Sequence, residues 1–182
     1  PLLLLLPTLF FGFIADDYFH QLMLAQSDHP LFAGAQPVLD LFSFIPIEGT
    51  ARASLVEQGV LPWWHLQGAQ GRFFRPVAAL THMLDHALWG RVAFLQHLHS
   101  LAWLLACGFS VRRLYRITGL SGRTLSLAIL FFLVDETHVM PGGWIANRNI
   151  LVCLVLSCGA IEQFIRWRRG ESRLYVALAL YI

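Results

Sequence analysis

Trp144 to Ile165 reads WIANRNILVCLVLSCGAIEQFI, an apolar stretch whose only formal charges are Arg148 and Glu162. A helix needs about 20 mostly apolar residues to cross a bilayer, because no backbone N–H or C=O can be left unpaired in hydrocarbon. This stretch is long enough, and its neighbours read the same way. Phe94 to Val111 is a second candidate span, with His97 and His99 near its start. Ser121 to Met140 is a third, whose cleanest apolar part, Leu125 to Val134, runs into Asp135, Glu136 and His138. Pro1 to Ala15 (PLLLLLPTLFFGFIA) is apolar but short, as a spanning helix lacking its start would be, and Leu174 to Ile182 opens a fifth span. A secretory signal is the weaker reading of the first stretch, since Asp16 and Asp17 are poor neighbours for a cleavage site. Composition agrees: 57% of the 182 residues are hydrophobic and 13% charged, against roughly 25% charged in an average soluble domain. The expected fold class is an all-α polytopic membrane protein, and a chain that starts at Pro1 and stops within an apolar run reads as the front of a longer one.

The basic residues orient these spans. There are thirteen, all arginine. Arg112, Arg113, Arg116 and Arg123 fall between the second and third spans, and Arg166, Arg168, Arg169 and Arg173 between the fourth and fifth. Cytoplasmic loops are enriched in arginine, so both loops are expected inside. Residues 16 to 93 then form a long extracytoplasmic loop, with four arginines (Arg52, Arg72, Arg75, Arg91) against seven carboxylates (Asp16, Asp17, Asp28, Asp40, Glu48, Glu57, Asp85). Within it, Ser27 to Leu61 reads as loops and short interfacial helices, and Trp63 and Trp64 suit the headgroup level. Pro76 to Trp89 is the best amphipathic helix: Val77, Leu80, Leu84 and Leu88 recur at helical spacing, with His82, Asp85, His86 and Trp89 on another face. Pro76 suits its first turn and Gly90 its end. A net charge of +2 is too small for a nucleic-acid footprint, and Cys107, Cys153 and Cys158, all within apolar runs, do not make a disulfide framework.

Few residues remain that could carry chemistry. Asp16 and Asp17 sit where the first span should leave the membrane, and burial there would raise a carboxyl toward the range of a general base; the plainer reading is that they end a helix in water. Arg72 and Arg75 precede the amphipathic helix, and Arg148 stands on the side that arginine usually avoids, so an ion pair with Asp135 or Glu136, or a bound anion, would explain it. Each arginine could equally snorkel to headgroups. His82 and His86, four apart, with Asp85 as a third ligand, make a weak metal option, since neither HExxH nor CxxC accompanies them. His97 and His99 face different directions on a helix and cannot share an ion.

In order along the chain, ADDYFH (Ala15 to His20), RFFRPV (Arg72 to Val77), LDHALWG (Leu84 to Gly90), HLHSLAWLL (His97 to Leu105) and THVMPGGWIANRN (Thr137 to Asn149) resemble the N-terminal part of GT-C glycosyltransferases, in particular the protein O-mannosyltransferase-like group and the TPR-linked membrane proteins similar to it. Met140 stands where the TPR-linked pattern carries a glutamate, and Ser100 where asparagine is common.

The resemblance implies an enzyme that takes a sugar from a polyprenyl-phosphate donor at the outer face of the membrane and passes it to a protein or glycan acceptor. By position it implies Asp16 as the base that deprotonates the acceptor, with Asp17 placing the acceptor or a divalent metal. Arg75, Arg148, Arg72 and His138 become the residues for the lipid phosphate, and Asp135 and Glu136 a second acidic site. No cofactor is firmly implied. The expected location is a multi-pass position in a bacterial inner membrane, the site facing the periplasm or exterior. The rival is a transporter or an assembly subunit of an envelope polysaccharide pathway, in which Asp135, Glu136, His138 and Arg148 form an intramembrane ion site. Transfer expects Asp16 and Arg75 to meet the Asp135–Arg148 turn in one outward cavity; transport expects polar residues that continue to the cytoplasmic side.

Overall fold

The computed structural model describes residues 2–25, 32, 35–45, 50–57, 59, 61–66, 68 and 71–171. The expected fifth span (174–182), Arg173, Asp28 and Glu48 lie outside the described residues. The described chain is mostly helical. Its helices are α1 (Leu2–Leu5), α2 (Asp16–Leu24), α3 (Pro37–Asp40), α4 (Thr50–Glu57), α5 (Pro76–Trp89), α6 (Ala93–Ile117), α7 (Gly122–Val134), α8 (Val139–Gly143) and α9 (Asn149–Arg168). Two short strands, β1 (Ser43–Ile45) and β2 (Gly71–Arg72), and tighter 3-10 turns at Leu6–Phe10, Glu136–His138 and Ile145–Arg148 accompany them. The chain folds as two compact units, residues 1–14 with 92–182, and residues 15–91.

In the first unit α6 has 25 residues, about 37 Å at the helical rise and more than the roughly 30 Å of bilayer hydrocarbon. Ile145–Arg168 runs on as 24 residues, and these two are long and apolar enough to cross a membrane. They pack on each other through Leu101, Leu104, Cys107 and Leu151, joined by Leu5, and the Cys107 thiol donates to the Leu151 carbonyl at 3.3 Å. The second span is longer than its apolar core suggested: Arg112, Arg113 and Arg116 ride on the last turns of α6, where long side chains reach water from a helical backbone.

The third span is broken. α7 ends at Val134, and the segment Glu136–Gly143 turns away by 50°, the two together being long and apolar enough for one bent span. Asp135 causes the break: its backbone is extended and its carboxylate accepts the Thr137 N–H at 2.9 Å, starting a new turn where the helix would have continued. The first stretch is also not one helix. Pro7 brings no N–H to the ladder, the coil tightens into the 3-10 turn, and residues 11–14 leave helical geometry. The carbonyls freed there find donors in the same unit, Gly12 from His97 Nε2 at 3.3 Å and Ile14 from Trp144 Nε1 at 3.2 Å.

In the second unit the all-α expectation needs amending, because β1 and β2 pair antiparallel, Ser43 opposite Arg72 and Ile45 opposite Gly71. Arg72 pins this pairing, donating to Asp40 at 2.9 Å and to Ser43 Oγ at 3.3 Å. The apolar core of the unit is Met23, Phe32, Leu41, Phe42, Ala78 and Ala79. α5 has the expected bounds, with Pro76 in its first turn and Gly90 (φ 57°) after its end. Its faces are the notable feature. Ala78, Ala79, Thr81, His82 and Asp85 are buried, while Val77, Leu80, Leu84 and Leu88 are 40–61% exposed. α7 likewise buries no residue and exposes Leu127, Leu130, Phe131 and Val134. Leucine turned outward with polar groups turned inward is unfavourable in water, and it is what a lipid-facing surface requires.

Candidate functional site

α2 and α5 meet through their polar faces. Asp17, His20 and Gln21 on α2 are spaced i, i+3, i+4, and Thr81, His82 and Asp85 on α5 are spaced i, i+1, i+4, so each set occupies one side of its helix. All six are buried. The His20 and His82 rings lie 5.1 Å apart, and His86 Nδ1 lies 3.3 Å from Gln21 Oε1. His20 is further boxed by Phe42 at 4.8 Å edge-on and by Phe44 stacked at 5.9 Å. Carboxylates and imidazoles are thus gathered into a buried seam beside aromatic rings.

Asp16 lies beside that seam. It opens α2 and is only partly buried, whereas Asp17, one position on, is 1% exposed. Burial pushes the Asp16 carboxyl above the ordinary aspartate value of 3.8, since the charged form loses solvation. Ala15, just before it, has φ 44° and ψ −110° and is the only non-glycine at positive φ among the described residues. An alanine there costs about 1–3 kcal/mol, and such strain persists only where the surroundings hold it, commonly at functional positions.

The arginines of this unit have separate fates. Arg72 is committed to Asp40 and Ser43 in the β pairing, and it is therefore a structural clamp here. Arg75 lies against two rings, its guanidinium 4.6 Å from the Phe73 ring centre and 5.1 Å from that of Phe42. Stacking on aromatic faces fixes the orientation of a guanidinium. His82 and His86 do not form the metal option: the ring of His82 packs against His20 while His86 reaches Gln21. Among the described residues no three His, Cys, Asp or Glu side chains are placed to hold an ion.

The first unit carries its own polar centre. Arg148 is fully buried, and its guanidinium reaches along α6, to the Gln96 carbonyl at 2.8 Å, Ser100 Oγ at 3.0 Å and His99 Nδ1 at 3.2 Å. Trp103 Nε1 donates to the other nitrogen of His99 at 3.1 Å. A neutral imidazole accepts at one nitrogen only, so the two donors compete for it. The expected pairing of Arg148 with Asp135 or Glu136 is replaced by these α6 acceptors: both acids are exposed, and Asp135 caps Thr137. His138 is buried, its Nε2 2.6 Å from the Phe132 carbonyl and its ring against Phe132. That contact anchors the turn.

The chain matches no family model, no curated protein and no solved structure. The site therefore rests on its own chemistry. His20, Gln21 and Gln96 were not singled out from the sequence as site residues; the available signal was their helical spacing from Asp17 and Ser100, visible once each helix is read for a polar stripe.

Proposed function

We propose that this protein is a multi-pass membrane glycosyltransferase of the GT-C type, which moves a sugar from a polyprenyl-phosphate donor to a protein or glycan acceptor at the outer face of a membrane, a bacterial inner membrane in the simplest case. The observation that carries the proposal is Asp16: a partly buried carboxyl, raised by that burial, on the first turn of α2 after a strained alanine. In this mechanism Asp16 takes the proton of the acceptor hydroxyl as its oxygen attacks the anomeric carbon. The bond from that carbon to the phosphate oxygen breaks with inversion, and its electron pair leaves on the polyprenyl phosphate. The Arg75 guanidinium, oriented by its contacts with Phe42 and Phe73, supplies the positive charge for the departing phosphate. Asp17 is a positioning residue within the buried seam.

Transport receives less support. In the first unit the polar group of Gln96, Ser100 and Arg148 is separated along α6 from Glu162 and Arg113 by the buried apolar layer of Leu101, Leu104, Cys107 and Leu151, and a permeation path would need polar groups there.

The test compares turnover of a polyprenyl-phosphate sugar by membranes containing the wild-type protein or Asp16→Asn at equal expression. Loss of a general base predicts a fall of about 10²–10⁴-fold. Equal turnover in the two membranes would remove Asp16 from the mechanism.

A further inference from the structure

The far ends of α6 and α9 enclose a cleft of about 440 Å³ lined by Arg113, Arg116, Ile117, Glu162 and Arg166. Arg116 is sixteen residues beyond Ser100, about 24 Å along the helix, so this cleft is well removed from the Arg148 centre of the same unit. One buried acid, Glu162, lines it, and Glu171 Oε2 lies 3.8 Å from Arg166 Nη1. Glu162 is 4% exposed, and its Oε1 accepts from Arg113 Nη2 at 3.0 Å and from Arg166 at 2.9 and 3.0 Å. Glu162 thus orients two guanidiniums, and the lining itself holds three cations against one anion, with Glu171 outside the lining as a longer second partner of Arg166. Arg116 is exposed, and its guanidinium has no hydrogen-bond or ion-pair partner among the described residues. Arg169 closes the end of α6, donating to the Ile117 carbonyl at 2.8 Å.

Helix-dipole compensation accounts for arginines near two helix C-termini. It leaves unexplained a buried glutamate that draws two of those arginines together, and a third cation left over beside an apolar side chain. That combination suits a phosphate ester with an attached hydrocarbon, the guanidiniums taking the oxygens and Ile117 the first carbons. Phe109 and Leu105, exposed further back on α6, continue an apolar surface away from the cleft. We propose that this cleft binds the headgroup phosphate of an anionic phospholipid, with Arg116 as the residue that contacts it and Glu162 as the residue that positions Arg113 and Arg166.

The test follows the thermal unfolding midpoint of the detergent-purified protein titrated with phosphatidylglycerol, with phosphatidylcholine or with inorganic phosphate. Phosphatidylglycerol should raise the midpoint while the other two leave it in place. Arg116→Gln should keep the unliganded midpoint and weaken the apparent affinity for phosphatidylglycerol about fivefold, the effect of about one arginine at a charged membrane surface. Arg123→Gln, an exposed arginine on α7 that does not line the cleft, should bind as the wild type does. The proposal is overturned by equal affinity in Arg116→Gln and wild type, by the same loss in Arg123→Gln, by no midpoint rise with phosphatidylglycerol, or by an equal rise with inorganic phosphate, which would make this a soluble-phosphate site.

Discussion

Successive residues on a helix point about 100° apart, so Asp16 and Asp17 meet different surroundings, one at the edge of water and the other inside the seam. The raised Asp16 carboxyl gives a signed pH dependence. A base must be ionised to act, so turnover should rise with pH through a midpoint above 3.8, the ordinary aspartate value. Stability runs the other way: the folded state keeps this proton at pH values where the unfolded chain has lost it, so the Asp16 contribution falls as pH rises from the unfolded value through the raised one. Thermal unfolding of Asp16→Asn across that window should lack this component. Ala15→Gly should stabilise the protein by up to about 1 kcal/mol in a denaturation curve, because glycine adopts positive φ without a Cβ clash. Arg148→Lys cannot reproduce three guanidinium bonds spread over Gln96, His99 and Ser100, and the loss of one should cost about 1.5–3 kcal/mol by the same measurement. The acidic pair was legible in the sequence because it interrupts an apolar run. The partners of Arg148 were not, because a buried guanidinium can reach across to another helix, and sequence proximity favoured Asp135 and Glu136.

At the scale of elements, α5 is the informative helix. Its period and both its ends were readable, since proline and glycine punctuate it and leucine recurs at helical spacing. Which face turns inward was not readable, because the answer depends on the solvent. In water the leucine ridge would be buried; here the ridge is exposed and Thr81, His82 and Asp85 are inside. Lipid removes the penalty for exposed leucine and raises that for an exposed carboxylate. Single cysteines at Leu84 on α5 and Phe131 on α7 should accordingly react slowly with a water-soluble maleimide in intact membranes and quickly after detergent; rapid reaction before detergent would place those faces in water. The break in the third span has the same origin as its signal. Asp135 marked the end of an apolar segment, yet its capping of Thr137 is a local choice that hydrophobicity does not encode.

For the molecule as a whole, two helices among the described residues, or three with the bent pair, are long and apolar enough to cross a membrane; arginines gather at the C-terminal ends of α6 and α9, with Arg123 near the start of α7 and Arg148 just before α9. The long apolar helices were legible from composition and pattern, while the β1–β2 pairing escaped notice because strands of three and two residues carry almost no periodicity. The central claim of the proposed function is outward-facing sugar transfer with Asp16 as base. Its most direct measurement is release of polyprenyl phosphate in sealed vesicles whose labelled polyprenyl-phosphate sugar is confined to the leaflet corresponding to the cell exterior. Wild-type protein should release it and Asp16→Asn should be slower by about 10²-fold or more. Equal release by the two proteins, or release only when the donor lies in the opposite leaflet, would contradict the account.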